Sequence, residues 1–318
     1  MEQHTHDRDN NELIKIWRIS ENSAQRLKEK SIYTASQLQQ NHHRLGLNLK
    51  PSTQAYLHYH KELFQKIPRI EITRHMKAIQ AWYTEWIQKR ADPQLPLVMN
   101  VVGSYRRGEK ESGDIDIVIQ WENEQEQYMW THSKGFVLDY LVKTKYVLYV
   151  LQAGPTTIKM IVRLNEQMPA RQLDLFFAPK ESYPFYLLAK TGDVAFTKSM
   201  RQTVKDMFQS KMKKNEEVVL SEHGFRIRNI TNKKIVGMFR DNRFFENEHD
   251  IFLFLNAMPR IPSQYTGSFQ GKDRERERER DEYRDEAPWK KQKRMKGGIK
   301  RKTRCKQWKK NRSHRRNK

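Results

Sequence analysis

Apolar residues recur every three or four positions from Leu13 to about Ile67, in short segments broken at Gly46, Pro51 and Pro68. That spacing predicts a small all-helical unit. From Ile72 to about Arg90 the period runs on unbroken, with Met76, Ile79, Tyr83, Trp86 and Ile87 along one side, which predicts a longer amphipathic helix. Trp82 and Trp86 are four apart on it and are read as core side chains rather than a base-stacking platform. After ADPQLP the pattern changes. LVMNVVG, DIDIVIQ, YVLYVLQ, IKMIVRL and RQLDLFFA are short apolar or alternating runs rich in Val, Ile and Phe, the signature of strands. A helix is expected between the second and third, around 135–145. The mixture predicts an α+β unit, an open sheet with helices on one face. Helices return between Tyr183 and Tyr265, interrupted by a β-like section, VVLSEHGFRIRN, and ending near HDIFLFLNAM.

Charge changes this picture at one end only. The 318 residues carry a net charge of +23, but the segment from Ala287 to Lys318 holds sixteen Lys or Arg and no acid. The rest of the chain therefore carries +7, and a polyanion-binding surface on it must be argued from particular residues. DRERERERDEYRDE and the basic segment after it read as solvated, low-complexity sequence. Cys305 is the single cysteine, which rules out an intrachain disulfide and a zinc cluster and suits a reducing compartment. There is no bilayer-length apolar run, and MEQHTHDRDN lacks the apolar core of a signal peptide. A soluble protein of the nucleus or cytoplasm, without a membrane partner, is the expectation.

The candidate chemistry lies in GSYRRGEKESGDIDIVI, residues 103–119. Strand side chains alternate faces, so Asp114 and Asp116 share one face of an otherwise apolar strand. Asp174, in RQLDLFF, joins them if the two strands are neighbours. Converging carboxylates repel one another, and they make sense around hard divalent cations with oxygen ligands. Two magnesium ions held there could activate a hydroxyl, neutralise a triphosphate and stabilise leaving pyrophosphate. The Gly103–Ser104 turn could open a helix whose N–H groups receive phosphate oxygens, with Arg106, Arg107 and Lys110 available to the same phosphates. Either fragment alone is commonly just a turn or an edge-strand face. Together, ten residues apart and with a third Asp on a later apolar strand, they point to a nucleotidyl transferase with two metals.

GSYRRGEKESGDIDIVI closely resembles the palm signature of the family X DNA polymerases, the DNA polymerase beta group. The glycine–serine and D-x-D elements are shared with other nucleotidyl transferases, whereas the RRG insert is more selective. NHHRLGL and QKIPR resemble the end of that family's fingers, and RQLDLFFAPKESYPFYLLAKTGDVAFTKSMR its last palm strand and the start of its thumb. NEHDIFLFLNAMPRIPSQY resembles the final thumb helix and closing segment. The similarity runs from about Leu13 to Tyr265. It implies an α+β nucleotidyltransferase palm with a mixed sheet over 69–182, preceded by helical fingers over 13–68 and followed by an α/β thumb over 183–266. A flexible 1–12 and a charged, then basic, disordered tail over 267–318 complete the expected plan.

The resemblance also implies roles. Asp114 and Asp116 would ligate both metals, and Asp174 would ligate the catalytic one and accept the proton of the primer 3′-hydroxyl. Gly103, Ser104, Arg107, Gly113, Lys66, Gly192 and Thr197 would surround the incoming nucleotide. Lys198 and Arg201 would lie on DNA, against the templating base and the minor groove. The implied activity is template-directed gap filling in DNA repair, with two Mg2+ ions (Mn2+ as a substitute), gapped or primer–template DNA and deoxynucleoside triphosphates. A monomer with a DNA ligase as a further partner is expected.

Several positions depart from the family. Ala189 and Lys190 replace aromatic residues ahead of the thumb's Thr-Gly, and the small residue at 189 resembles polymerase mu and terminal transferase more than polymerase beta. Weak sugar discrimination, and a template-independent or ribonucleotide-tolerant alternative, follow from that. A catalytically dead DNA-binding scaffold is the remote alternative. Gln172 replaces an arginine that often braces the aspartates. WRISENSAQRL matches the second helix-hairpin-helix but has none of its glycines, which argues against a cation-assisted grip on DNA. Too few residues precede Leu13 for the lyase domain, so no lyase activity is expected. The basic tail has three readings: a phosphate-binding arm, a nuclear targeting signal, or a solubilising appendage. KGGIKRKTRCKQWKKNR is similar to short basic C-termini common in proteins of large DNA viruses.

Overall fold

The computed structural model describes residues 12–89, 98–122, 124–132 and 135–269. Residues 1–11 of the expected flexible start and 270–318 of the expected tail lie outside the described residues, as does ADPQLP; Glu12 opens a short helical turn and Phe269, expected in the tail, is buried in the core of the second unit. The chain divides into two compact units between Lys180 and Glu181.

The first unit begins with four short helices, α1 (Glu21–Lys28), α2 (Ala35–Asn41), α3 (Pro51–His58) and α4 (His60–Leu63). Their starts are written in the sequence. Ser20 accepts a hydrogen bond from the N–H of Ser23, Thr34 and Gln37 form a reciprocal capping box, and Pro51 stands in the first turn of α3. A two-residue strand, β1 (Ile67–Pro68), precedes α5 (Arg69–Lys89). Next come β2 (Met99–Val101), the single turn α6 (Gly103–Arg106), β3 (Glu111–Ser112) and β4 (Ile115–Trp121). After α7 (Glu124–Thr131) a π-helical turn at Phe136–Tyr140 runs into α8 (Leu141–Lys143). Three strands follow: β5 (Val147–Ala153), β6 (Thr157–Val162) and β7 (Arg171–Pro179).

All five predicted strand runs enter one mixed sheet of order β2-β4-β7-β6-β5, in which only β4 and β7 run parallel. Alternation sorts their side chains. Ile115, Ile117, Ile119, Leu173, Leu175, Phe177, Ile158 and Met160 are buried against Ile72, Ile79, Tyr83, Trp86 and Ile87 of α5. Trp86 is thus core, as its spacing indicated, and Tyr83 stacks on Trp130 at 4.6 Å between ring centroids.

Helices were expected on one face of the sheet; the structure places them on both. Ile161, on the face opposite Met160, is fully buried with Leu151 and Ala170 among Leu13, Ile16, Leu27, Leu38, Tyr56 and Leu57 of the N-terminal helical segment. The stretch Met160–Val162 at the end of β6 is the reason, because a segment apolar on both sides must be covered on both sides. The rest of that second face carries Asp116, Asp174 and Lys159.

In the second unit, α9 (Tyr183–Thr191) and α10 (Val194–Phe208) precede three antiparallel strands, β8 (Glu216–Ser221), β9 (Gly224–Asn229) and β10 (Ile235–Met238), in the order β10-β9-β8. Helix α11 (Glu248–Phe254) closes the unit. The core is largely aromatic: Phe185, Phe196, Phe208, Phe225, Phe245, Phe252 and Tyr265 are all buried. Asp193 caps α10 through the N–H of Phe196 at 2.6 Å, and its own N–H donates to the carbonyl of Tyr265 at 2.9 Å. The VVLSEHGFRIRN hairpin is present as β8 and β9. The third strand left no alternating signature, since Ile235, Val236 and Met238 on that sheet edge are about half exposed.

Candidate active site

Asp116 and Asp174 are paired residues of the parallel β4–β7 ladder and point to the same face. Asp114, two residues earlier, lies on that face as well. One carboxylate oxygen from each of the three can be chosen so that all lie within 4.8 Å of one another. Asp174 is buried, and the other two are half-buried. Burial first and the charge of Asp174 second push the Asp114 carboxyl up, while Lys159 and Lys66 oppose the rise. Such a donor set, hard oxygens gathered at short range from two neighbouring strands, fits divalent magnesium or manganese.

The glycine–serine turn is built around these groups. Gly103 has φ +64°, in the left-handed region, and a Cβ there would lie 2.7 Å from Oδ2 of Asp116. Only glycine satisfies both the backbone angle and the contact. The N–H of Val102 donates to the carbonyl of Asp116 at 2.8 Å, tying the turn to β4. Helix α6 does open at Gly103, though it is one turn long. Ser104 donates from Oγ to Oγ of Ser112 at 2.7 Å, and Arg107 reaches Oε1 of Glu109 through Nε at 3.0 Å. Gly113 has no heavy atom near its notional Cβ, so intramolecular packing does not demand glycine there. Pairing of Ile67 with Ser112 brings exposed Lys66 to the Asp114 end of the site.

Three neighbours complete the site, of which Lys159 and Tyr56 escaped sequence reasoning. Lys159 stands opposite Asp174 in the β6–β7 ladder and forms an ion pair with its Oδ2. A lone cation in the apolar run IKMIV was the available signal. Gln172 donates from Nε2 to Oδ1 of the same carboxylate at 3.1 Å. Where the resembled family often has an arginine on β7 itself, the positive charge here comes from the adjacent strand. Buried Tyr56 is the third; its phenol is pushed up to about 12 by burial, then by Asp114 and Asp174. Nothing in the helical pattern marked it. Behind β7, Arg171 grips Glu71 of α5 through two bonds, at 2.7 and 3.0 Å, and donates to the carbonyls of Glu62 and Gln65. One buried guanidinium thus secures the start of β7, the start of α5 and the segment leading to Lys66.

The remaining candidates belong to the second unit. Gly192 ends α9 against α10: a Cβ there would fall 2.6 Å from Cδ1 of Phe196 and 2.9 Å from Oγ1 of Thr197. Helix packing alone is therefore enough to require it. Lys198 and Arg201 are exposed, three apart on α10, and line a groove together with Lys205, Arg228 and Lys233. Buried Glu217 holds two of these cations, Arg228 at 2.7 Å and Lys205 at 3.0 Å. Burial pushes its carboxyl up, but those hydrogen bonds prevail and hold it below the usual value.

A palm of nucleotidyltransferase type is the class of domain that this sheet, this turn and these carboxylates define. Residues 66–180 match the family model described as DNA polymerase beta palm. Among curated proteins, DNA polymerase lambda of Arabidopsis thaliana is 25% identical over 201 residues, covering 58% of this chain and 34% of that protein. The chain thus spans about a third of the length of that relative. It is family X polymerase-like, with a palm of nucleotidyltransferase type that contains Asp114, Asp116 and Asp174. Among the described residues, no helix is long and apolar enough to cross a membrane.

Proposed function

We propose that this protein is a DNA-directed DNA polymerase that inserts deoxynucleotides into short gaps during repair. The convergence of Asp114, Asp116 and Asp174 beside the Gly103–Ser104 turn carries the reading. Asp114, Asp116 and Asp174 would hold two magnesium ions. When bound, these supply charge neutralisation for the triphosphate and acidify the attacking hydroxyl. Asp174 accepts the proton of the primer 3′-hydroxyl; the O3′–Pα bond forms in line as the bond from Pα to the bridging oxygen breaks, and pyrophosphate leaves. Ser104, Arg107 and Lys66 hold the triphosphate, with Gly103 and Gly113 leaving room for it. Of the second unit's residues, Gly192 and Thr197 are assigned to nucleotide binding, and Lys198 and Arg201 to the templating base and the minor groove. The fingers span 13–68, the palm 69–182 and the thumb 183–266.

Ala189 and Lys190 favour a second reading, a template-independent or ribonucleotide-tolerant terminal transferase. One experiment separates the two. Purified protein and magnesium are given a one-nucleotide-gapped duplex or a single-stranded primer, with deoxy- or ribonucleotides. Templated single insertion supports gap filling, and untemplated addition supports the alternative. Asp116→Ala and Asp174→Ala should each abolish extension while leaving DNA binding largely intact; near-normal turnover in either refutes the assignment.

A further inference from the structure

Both oxygens of Asp174 already have donors within the protein: Lys159 on Oδ2, and Nε2 of Gln172 on Oδ1 at 3.1 Å. Lys159 is fixed in that place by register, since it is paired with Asp174 across the β6–β7 ladder. Its side chain is only 24% exposed. Its ammonium lies 5.6 Å from the ring centroid of Trp17 and 5.9 Å from that of Phe176. A cation is thus built into the carboxylate cluster at the residue that lies deepest.

We propose that Lys159 is a positioning residue that competes with the divalent ion for Asp174, so that metal occupancy depends on the arrival of the triphosphate. This rests on the metal-site reading above. An ammonium beside a divalent ion repels it and weakens binding to the carboxylates alone. A triphosphate attracts both cations, so its entry offsets that repulsion and lets ion and lysine share Asp174. Nucleotide and metal then bind as a coupled pair, each raising the affinity of the other. Ammonium and gathered carboxylates together set this order; neither alone would.

The test is Mn2+ binding by the full chain, followed by electron paramagnetic resonance without DNA, with and without a non-hydrolysable deoxynucleoside triphosphate. Lys159→Met should bind Mn2+ at least tenfold more tightly than wild type in the absence of nucleotide, about 1.4 kcal/mol. Lys159→Arg, which keeps the charge, should stay near wild type, and added nucleotide should narrow the gap between Lys159→Met and wild type. A merely structural lysine would shift the thermal melt without separating the Met and Arg variants. If Lys159→Met does not melt cooperatively, Lys159→Gln is scored in its place. Equal or weaker Mn2+ binding by the folded, uncharged variant overturns the proposal and leaves the metal site standing. Absence of Mn2+ binding in every variant, with nucleotide present, overturns the metal-site reading and the proposal together.

Discussion

Gly103→Ala perturbs the site without removing a charge. Two costs follow from the geometry. The left-handed φ of +64° costs a non-glycine residue about 1–2 kcal/mol. The new Cβ would also stand 2.7 Å from Oδ2 of Asp116, whereas ordinary contact begins near 3.4 Å, so the carboxylate must withdraw by about 0.7 Å. A misplacement of about 1 Å in a catalytic constellation costs on the order of a hundredfold in rate. The expected result is a stability loss of about 1–2 kcal/mol in urea titration. Single-nucleotide insertion should fall by roughly ten- to a hundredfold at saturating magnesium. Gly46→Ala is the matched control: its φ is +63°, yet its notional Cβ has no heavy atom within 4 Å. It should show the same stability loss with normal insertion. If Gly103→Ala inserts at the wild-type rate, or if both variants lose activity equally, the contact with Asp116 is not what makes this glycine necessary.

Arg171→Met should destabilise the first unit by about 3–5 kcal/mol, because it strands Glu71, the buried partner of the guanidinium; a chemical-denaturation shift under about 1 kcal/mol would contradict that role. His75 is buried beside the hydroxyl of Tyr146, and burial, then the charge of Arg171, lower its pKa from 6.5 to about 4. The unfolded chain therefore takes up the proton first as pH falls, so stability is intact above about 6.5 and drains away toward about 4, by about 3 kcal/mol at most. Unfolding free energies across that range should show the loss, and His75→Gln should flatten it; an unchanged slope in the variant would refute the assignment.

Much of this protein could be read in one dimension. The alternation of DIDIVIQ placed Asp114 and Asp116 on one face, and RQLDLFFA placed Asp174 on a buried strand, because strand periodicity is a local property of the backbone. Helix α5 and the caps at Ser20 and Thr34 are local in the same sense. Strand β10 was illegible because its exposed edge imposes no alternation, and covering helices on both faces were missed because Ile161 finds its cover among residues more than 100 positions earlier, such as Tyr56 and Leu57. The sequence by itself determined which residue types were available for the chemistry and which elements carry them. Only the tertiary structure decided which strands are neighbours. The parallel pairing of β4 with β7 turns two separate acidic motifs into one cluster, and the antiparallel pairing of β6 with β7 sets Lys159 against Asp174. Strand order depends on how two faces of a sheet are covered by distant segments, and local periodicity holds no record of it.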